Sequence, residues 1–195
     1  MRNKLITAII ALSLVLCCMV GATMAWLMDS TKTVVNTFTY GDVEITLKES
    51  PYNATNNSYG TPDEGVSNAY PMIPGTTYTK DPIVTVKANS EDCYLFIKIS
   101  EEGNAANFLD YELNLSEWTA LTDHTGVYYR VVKKSANDQT FKLLVNDRIT
   151  VNATKVTKEN MKEATKAKLS FTAYAVQKAN VADAATAWAI INPTP

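Results

Sequence analysis

The chain has 195 residues, with 18 basic and 20 acidic side chains, three cysteines and a single histidine. A formal charge of −2 offers no basic face to nucleic acid or to an anionic membrane. One histidine leaves little for imidazole catalysis, or for a catalytic zinc that takes its three protein ligands mainly from His and Cys.

Arg2 and Lys4 precede an uncharged stretch, residues 5–20, which runs on into Gly21-Ala22-Thr23-Met24-Ala25. That is the layout of a secretory signal peptide, and the small side chains of Thr23 and Ala25 put the cut between Ala25 and Trp26. An uncleaved anchor is the alternative, because residues 5–27 are long enough to span a bilayer with some tilt. A lipoprotein fits less well, since Leu16 stands before Cys17 where a small residue is expected. Cleavage removes Arg2, Lys4, Cys17 and Cys18, leaving 170 residues with 16 basic and 20 acidic side chains and Cys93 as the one cysteine. An intramolecular disulfide is then impossible. Because Cys93-Tyr94-Leu95-Phe96-Ile97 reads as a buried strand, a packed, inert thiol is expected. The expected organisation is a signal peptide (1–25), an N-terminal arm (26–37) and one domain (38–195), long enough for a sizeable core.

In chain order, Val43, Ile45 and Leu47 alternate with Glu44, Thr46 and Lys48, the period of a strand with one wet face. Residues 50–79 hold Pro51, Gly60, Pro62, Gly65, Pro71, Pro74 and Gly75. These turn formers forbid a long regular element, and the stretch reads as a mobile excursion in preference to a functional surface. Residues 83–86, 94–99, 127–132, 141–145 and 169–176 are rich in β-branched and aromatic side chains and read as strands, with 111–115 a shorter candidate. A short amphipathic helix is expected over 157–168, with Met161, Ala164 and Ala167 at helical spacing. A second is expected over 183–191, capped by Asp183 and burying Ala184, Ala187 and Trp188. About seven or eight strands with little helix predict a mainly β fold, an antiparallel jelly-roll-like β-sandwich with one or two short helices.

Little here points to catalysis. His124 lies between Asp123 and Thr125-Gly126 and reads as an exposed turn histidine; neither a Ser-His-Asp site nor a pairing with Cys93 has a supporting motif. The acidic pairs Asp63-Glu64, Glu91-Asp92 and Glu101-Glu102 lack calcium-loop spacing and read as solvated carboxylates. Sequons at Asn53, Asn56, Asn114 and Asn152 read as chance products of an Asn-rich chain. Residues 192–195 show no sortase-type signal. No catalytic residue, metal or cofactor is expected.

Several segments resemble a known group. The run Gly21-Ala22-Thr23-Met24-Ala25-Trp26-Leu27-Met28-Asp29, followed by Asn36-Thr37-Phe38-Thr39-Tyr40-Gly41, is similar to the start of the TasA and camelysin family of Gram-positive exported proteins. There a G-x-T-x-A segment, an aromatic residue and an aspartate lead to N-T-F-x-x-G and the first core strand. Tyr70-Pro71-Met72-Ile73-Pro74-Gly75, Lys80-Asp81-Pro82-Ile83-Val84-Thr85-Val86 and Tyr174-Ala175-Val176-Gln177 resemble the same group, which leaves the likeness sparse between residues 103 and 168. The resemblance implies cleavage by a dedicated signal peptidase and a jelly-roll sandwich. It further implies assembly into extracellular biofilm-matrix fibres by lending an N-terminal strand to the next subunit. Here the donor would be the arm, with Asp29, Thr31, Thr33, Val34, Val35 and Phe38 as candidate contacts. The partners would be other copies or related fibre subunits, with no membrane attachment after cleavage. Camelysin's classification as a metallopeptidase leaves a surface protease as an alternative, and an adhesive or accessory surface protein using residues 50–79 is another.

Overall fold

Cys93-Tyr94-Leu95-Phe96-Ile97 has no charged or amide side chain to turn toward water, so a strand built from it needs cover on both faces. The computed structural model describes the backbone of residues 37–40 and the whole of residues 42–192, and it places this run in the middle of a five-stranded sheet. The expected signal peptide and the arm positions Asp29, Thr31, Thr33, Val34 and Val35 lie outside the described residues.

In chain order the elements are β1 (Thr37–Tyr40), β2 (Ile45–Glu49), β3 (Tyr52–Asn53), β4 (Ser58–Tyr59), β5 (Asp63–Glu64), β6 (Thr77–Thr79), β7 (Ile83–Val86) and β8 (Cys93–Glu102). There follow α1 (Ala105–Phe108), β9 (Leu109–Asp110), β10 (Thr119–Ala120), β11 (Val127–Val132), β12 (Gln139–Lys142), a 3-10 turn (Val145–Asp147) and β13 (Arg148–Val151). The last are α2 (Met161–Ala164), β14 (Lys168–Gln177) and α3 (Ala184–Ile191). The fold is mainly β, as the alternating runs predict.

The five-stranded sheet has the order β1-β14-β8-β11-β10. Its spine is the antiparallel pair β14 and β8, in register from Lys168 opposite Glu102 to Gln177 opposite Cys93. Side chains alternate across a strand, so this sheet divides its apolar residues between two layers. Cys93, Leu95 and Ile97 of β8 and Phe171, Ala173 and Ala175 of β14 join one buried cluster. That cluster also takes Ile45, Leu47, Val84 and Val86 from the four-stranded sheet β12-β7-β2-β5, and Tyr78, Ile149 and Val151 from the three-stranded sheet β6-β13-β9. Facing antiparallel sheets with a shared core are compatible with a β-sandwich.

The alternate residues Tyr94, Phe96 and Val176 form a second buried cluster with Leu121 and Val127 beneath α3. Asp183 caps that helix as expected, its Oδ1 accepting the Thr186 N–H at 2.8 Å, and Ala184, Ala187 and Trp188 are its buried face. The Trp188 ring sits 5.3 Å from both Phe96 and Tyr174.

Three elements fall short of the sequence reading. The helix expected over 157–168 is a single turn, α2; its Ala164 is wholly buried, and close packing of Gly103 on the Lys166–Ala167 backbone leaves no room to continue. Residues 111–115 make only one bridge, Leu113 to Leu144. The strand expected over 141–145 ends at Lys142: Leu144 bridges Leu113, and the chain then turns through Asn146 and Asp147, both at positive φ.

Candidate functional site

Phe38, the last of the candidate donor positions, lies in β1 at one edge of the five-stranded sheet. β1 runs parallel to β14, with Thr37 opposite Ala173, Phe38 opposite Tyr174, Thr39 opposite Ala175 and Tyr40 opposite Val176. Every other pairing between strands of this sheet is antiparallel. A parallel neighbour cannot be joined to β14 by a hairpin, so the position beside β14 is filled by a segment distant in sequence. Among the described residues β1 has no partner on its outer side. A strand edge of this kind offers unpaired backbone N–H and C=O groups to an added chain.

The stretch 50–79 is tied down, where an excursion was expected. Turn formers do limit its strands to two or three residues, but its tyrosines stack. Tyr52 lies 5.1 Å from Tyr59, 5.1 Å from Tyr70 and 5.6 Å from Tyr78, and Tyr70 lies 5.1 Å from Tyr78. Such offset and edge contacts each stabilise by about 0.5–1.5 kcal/mol beyond burial. The Tyr78 hydroxyl donates to the Pro71 carbonyl at 2.8 Å, and the Tyr59 hydroxyl accepts the Thr79 N–H at 2.9 Å.

Beneath the tyrosines lies a polar knot. Lys80 Nζ is 2.9 Å from both carboxylate oxygens of Glu49, with the two side chains 8% and 12% exposed. Glu49 Oε1 also accepts from Asn68 Nδ2 at 2.7 Å and lies 3.2 Å from the Tyr70 hydroxyl. Asn68 Oδ1 accepts the Tyr52 N–H at 2.6 Å, and its Nδ2 lies 2.9 Å from the Ser50 carbonyl. Burial, and then the Glu49 charge, hold the Tyr70 phenol far above its usual range. One residue along, Asp81 accepts from the Ser50 N–H at 2.9 Å and from its hydroxyl at 2.6 Å. Two successive residues leaving β2 are thereby strapped to two following β6. Glu49, Asn68, Lys80 and Phe171 also line a cavity of about 30 Å³, room for one or two waters.

The remaining candidates stand apart from one another. His124 is in a turn, as read, but is half-buried, its ring 6.2 Å from that of Trp188. Cys93 is fully buried, and burial, with a smaller contribution from the Asp92 charge, pushes its thiol up to about 12, so little thiolate forms near neutral pH. Asp63 and Glu64 are exposed. Asp92 pairs with Lys133 at 2.6 Å and Glu91 with Lys134, while Glu101 accepts from the Tyr111 hydroxyl at 2.7 Å. Among the described residues no three His, Cys, Asp or Glu side chains converge on a point where a metal could sit.

Sequence reasoning missed Glu49, Asn68 and Lys80. Glu49 looks like the polar end of an alternating strand, and nothing local says that Lys80, 31 residues on, is its partner. Among protein-family models, curated proteins and solved structures, no match to this chain is found.

Proposed function

We propose that this protein is an exported structural subunit of extracellular matrix fibres of the TasA and camelysin type, built as a jelly-roll sandwich and assembled by exchange of its N-terminal strand. The observation that carries this reading is the parallel edge position of β1 beside β14. In the isolated chain, Thr37–Tyr40 closes that position. In a fibre, the same segment and the arm before it are supplied by the neighbouring subunit. The register with β14 is the same in either case, so exchange conserves the backbone hydrogen bonds and needs no new recognition surface. The signal-like residues 1–25 and the motif Asn36-Thr37-Phe38-Thr39-Tyr40-Gly41 support export and family. Electron microscopy and size-exclusion chromatography of protein beginning at Trp26, against protein beginning at Thr37, test the reading. Fibres from the first and monomers from the second are expected; monomers from both would remove self-assembly as an intrinsic property.

An adhesive or accessory surface role is the second reading, and the stacked tyrosines of residues 50–79 favour it. Replacing that stretch would abolish ligand binding and leave fibres intact. A camelysin-type peptidase would require a carboxylate-based metal site, which chelator-sensitive proteolysis by the pure protein would reveal.

A further inference from the structure

We propose that Lys80 and Asn68 form an intramolecular amide cross-link, with Glu49 carrying the proton between them. This stands on the polar knot alone and is independent of the fibre reading. The reaction joins an amine to a carboxamide: the Lys80 Nζ–Asn68 Cγ bond forms, the Cγ–Nδ2 bond breaks, and ammonia leaves.

Three features of the knot serve that step. Glu49 Oε1 accepts from Lys80 Nζ at 2.9 Å and from Asn68 Nδ2 at 2.7 Å, so nucleophile and leaving group are at most two hydrogen-bond lengths apart and share one proton carrier. The Tyr52 N–H, 2.6 Å from Asn68 Oδ1, is placed where negative charge develops on the carbonyl oxygen as the amine adds, the role of an oxyanion-hole donor. All three side chains line the cavity of about 30 Å³, which has room for a leaving group the size of water.

The surroundings exclude bulk water from the pair. Lys80 is 6% exposed, and its Nζ lies 5.4 Å from the Phe171 ring and 5.9 Å from that of Tyr70. The reaction opens with transfer of a proton from Lys80 to Glu49, whose two oxygens both lie 2.9 Å from Nζ. That transfer leaves the neutral amine that attack requires. Glu49 then returns that proton to Nδ2 and takes up one from the attacking nitrogen. The departing ammonia either leaves Glu49 protonated or takes that proton with it as ammonium. Neither an oxidant nor a co-reactant is needed. The product is a covalent ring from residue 68 to residue 80 that encloses Tyr70 and Tyr78 and locks the 50–79 stretch.

The test is a mass measurement on the purified chain, denatured, followed by tryptic mapping. The expected result is a mass lower by one ammonia, located in a fragment that runs from Glu49 to Lys87 and is left uncut after Lys80. Lys80→Arg and Glu49→Gln should restore the mass their sequences dictate. If either variant fails to fold, the map of the unaltered chain still decides. An unmodified mass, cleavage after Lys80, or an ammonia loss located at another asparagine would overturn the proposal. Persistence of the cross-link in Glu49→Gln would remove Glu49 from the mechanism.

Discussion

Trp188→Ala tests whether the central sheet is covered on both faces. Trp188 is 2% exposed, and its ring meets Phe96 and Tyr174, each at 5.3 Å, and His124 at 6.2 Å. Truncating a buried Trp to Ala costs about 3–5 kcal/mol through lost transfer energy and the cavity left behind. For a domain of this size, each kcal/mol moves the midpoint by about 2–4 °C, so thermal unfolding followed by circular dichroism should show a fall of roughly 6–20 °C. Leu95→Ala, on the face of β8 opposite Phe96 and wholly buried, should cost a comparable ~2–5 kcal/mol. Trp188→Phe should lose less than half as much as Trp188→Ala. It keeps a ring against Phe96 and Tyr174, and it removes an indole N–H that is buried with no hydrogen-bond partner among the described residues, a group whose burial carries its own penalty. A Trp188→Ala midpoint within about 2 °C of the parent, less than the shift for one kcal/mol, would show that α3 is a loosely attached tail and that the second buried layer is not part of the cooperative fold.

Gly126 and Gly75 have nearly the same positive φ, +75° and +79°, but a Cβ at Gly126 would lie 2.7 Å from the Ile99 carbonyl oxygen, while at Gly75 the nearest atom is 3.6 Å away. Gly75→Ala should therefore cost only the left-handed backbone penalty of about 1–2 kcal/mol, and Gly126→Ala a further ~1–3 kcal/mol of overpacking; equal losses in urea unfolding would refute this. Cys93 should resist a thiol-alkylating reagent in the native chain near neutral pH and react fully in denaturant, and rapid native labelling would contradict its burial. Alkali should destabilise the fold. Tyr70, Tyr78, Tyr111 and Tyr174 are held above the ordinary phenol value of 10.0, so above about pH 10 the unfolded chain has lost protons that the folded chain keeps, and stability falls as pH rises. Cys93 acts in the same direction from slightly lower pH. A urea midpoint unchanged between pH 8 and about pH 10.5 would contradict this.

Most of the fold was legible wherever one strand carries its own signal. Ile83–Val86 and Val127–Val132 have the bounds that their β-branched and aromatic runs predict, and the cap at Asp183 was readable because it acts within one turn of helix. The short strands were not legible. β6, β9 and β10 have two or three residues each and exist because a neighbouring strand pairs with them. The polar knot was hidden for the same reason. Glu49, Asn68 and Lys80 meet only after β2 and β6 have been placed by pairing with other strands, and no spacing in the sequence encodes that meeting. Residues 50–79 misled because their composition reports turns correctly, while their cohesion comes from tyrosines that look, in sequence, like scattered surface aromatics.

If a neighbouring chain fills the position beside β14 in a fibre, a cross-link across that position joins different chains. Thr39 and Ala175 are register partners across β1 and β14, and aligned strands bring such pairs within disulfide reach. The direct measurement is oxidation of the Thr39→Cys, Ala175→Cys double variant in assembled material, followed by denaturing electrophoresis without reductant. Strand exchange predicts a ladder of covalently linked chains that collapses to monomer on reduction; a single monomer band carrying an internal disulfide, from material that has formed fibres, would contradict it.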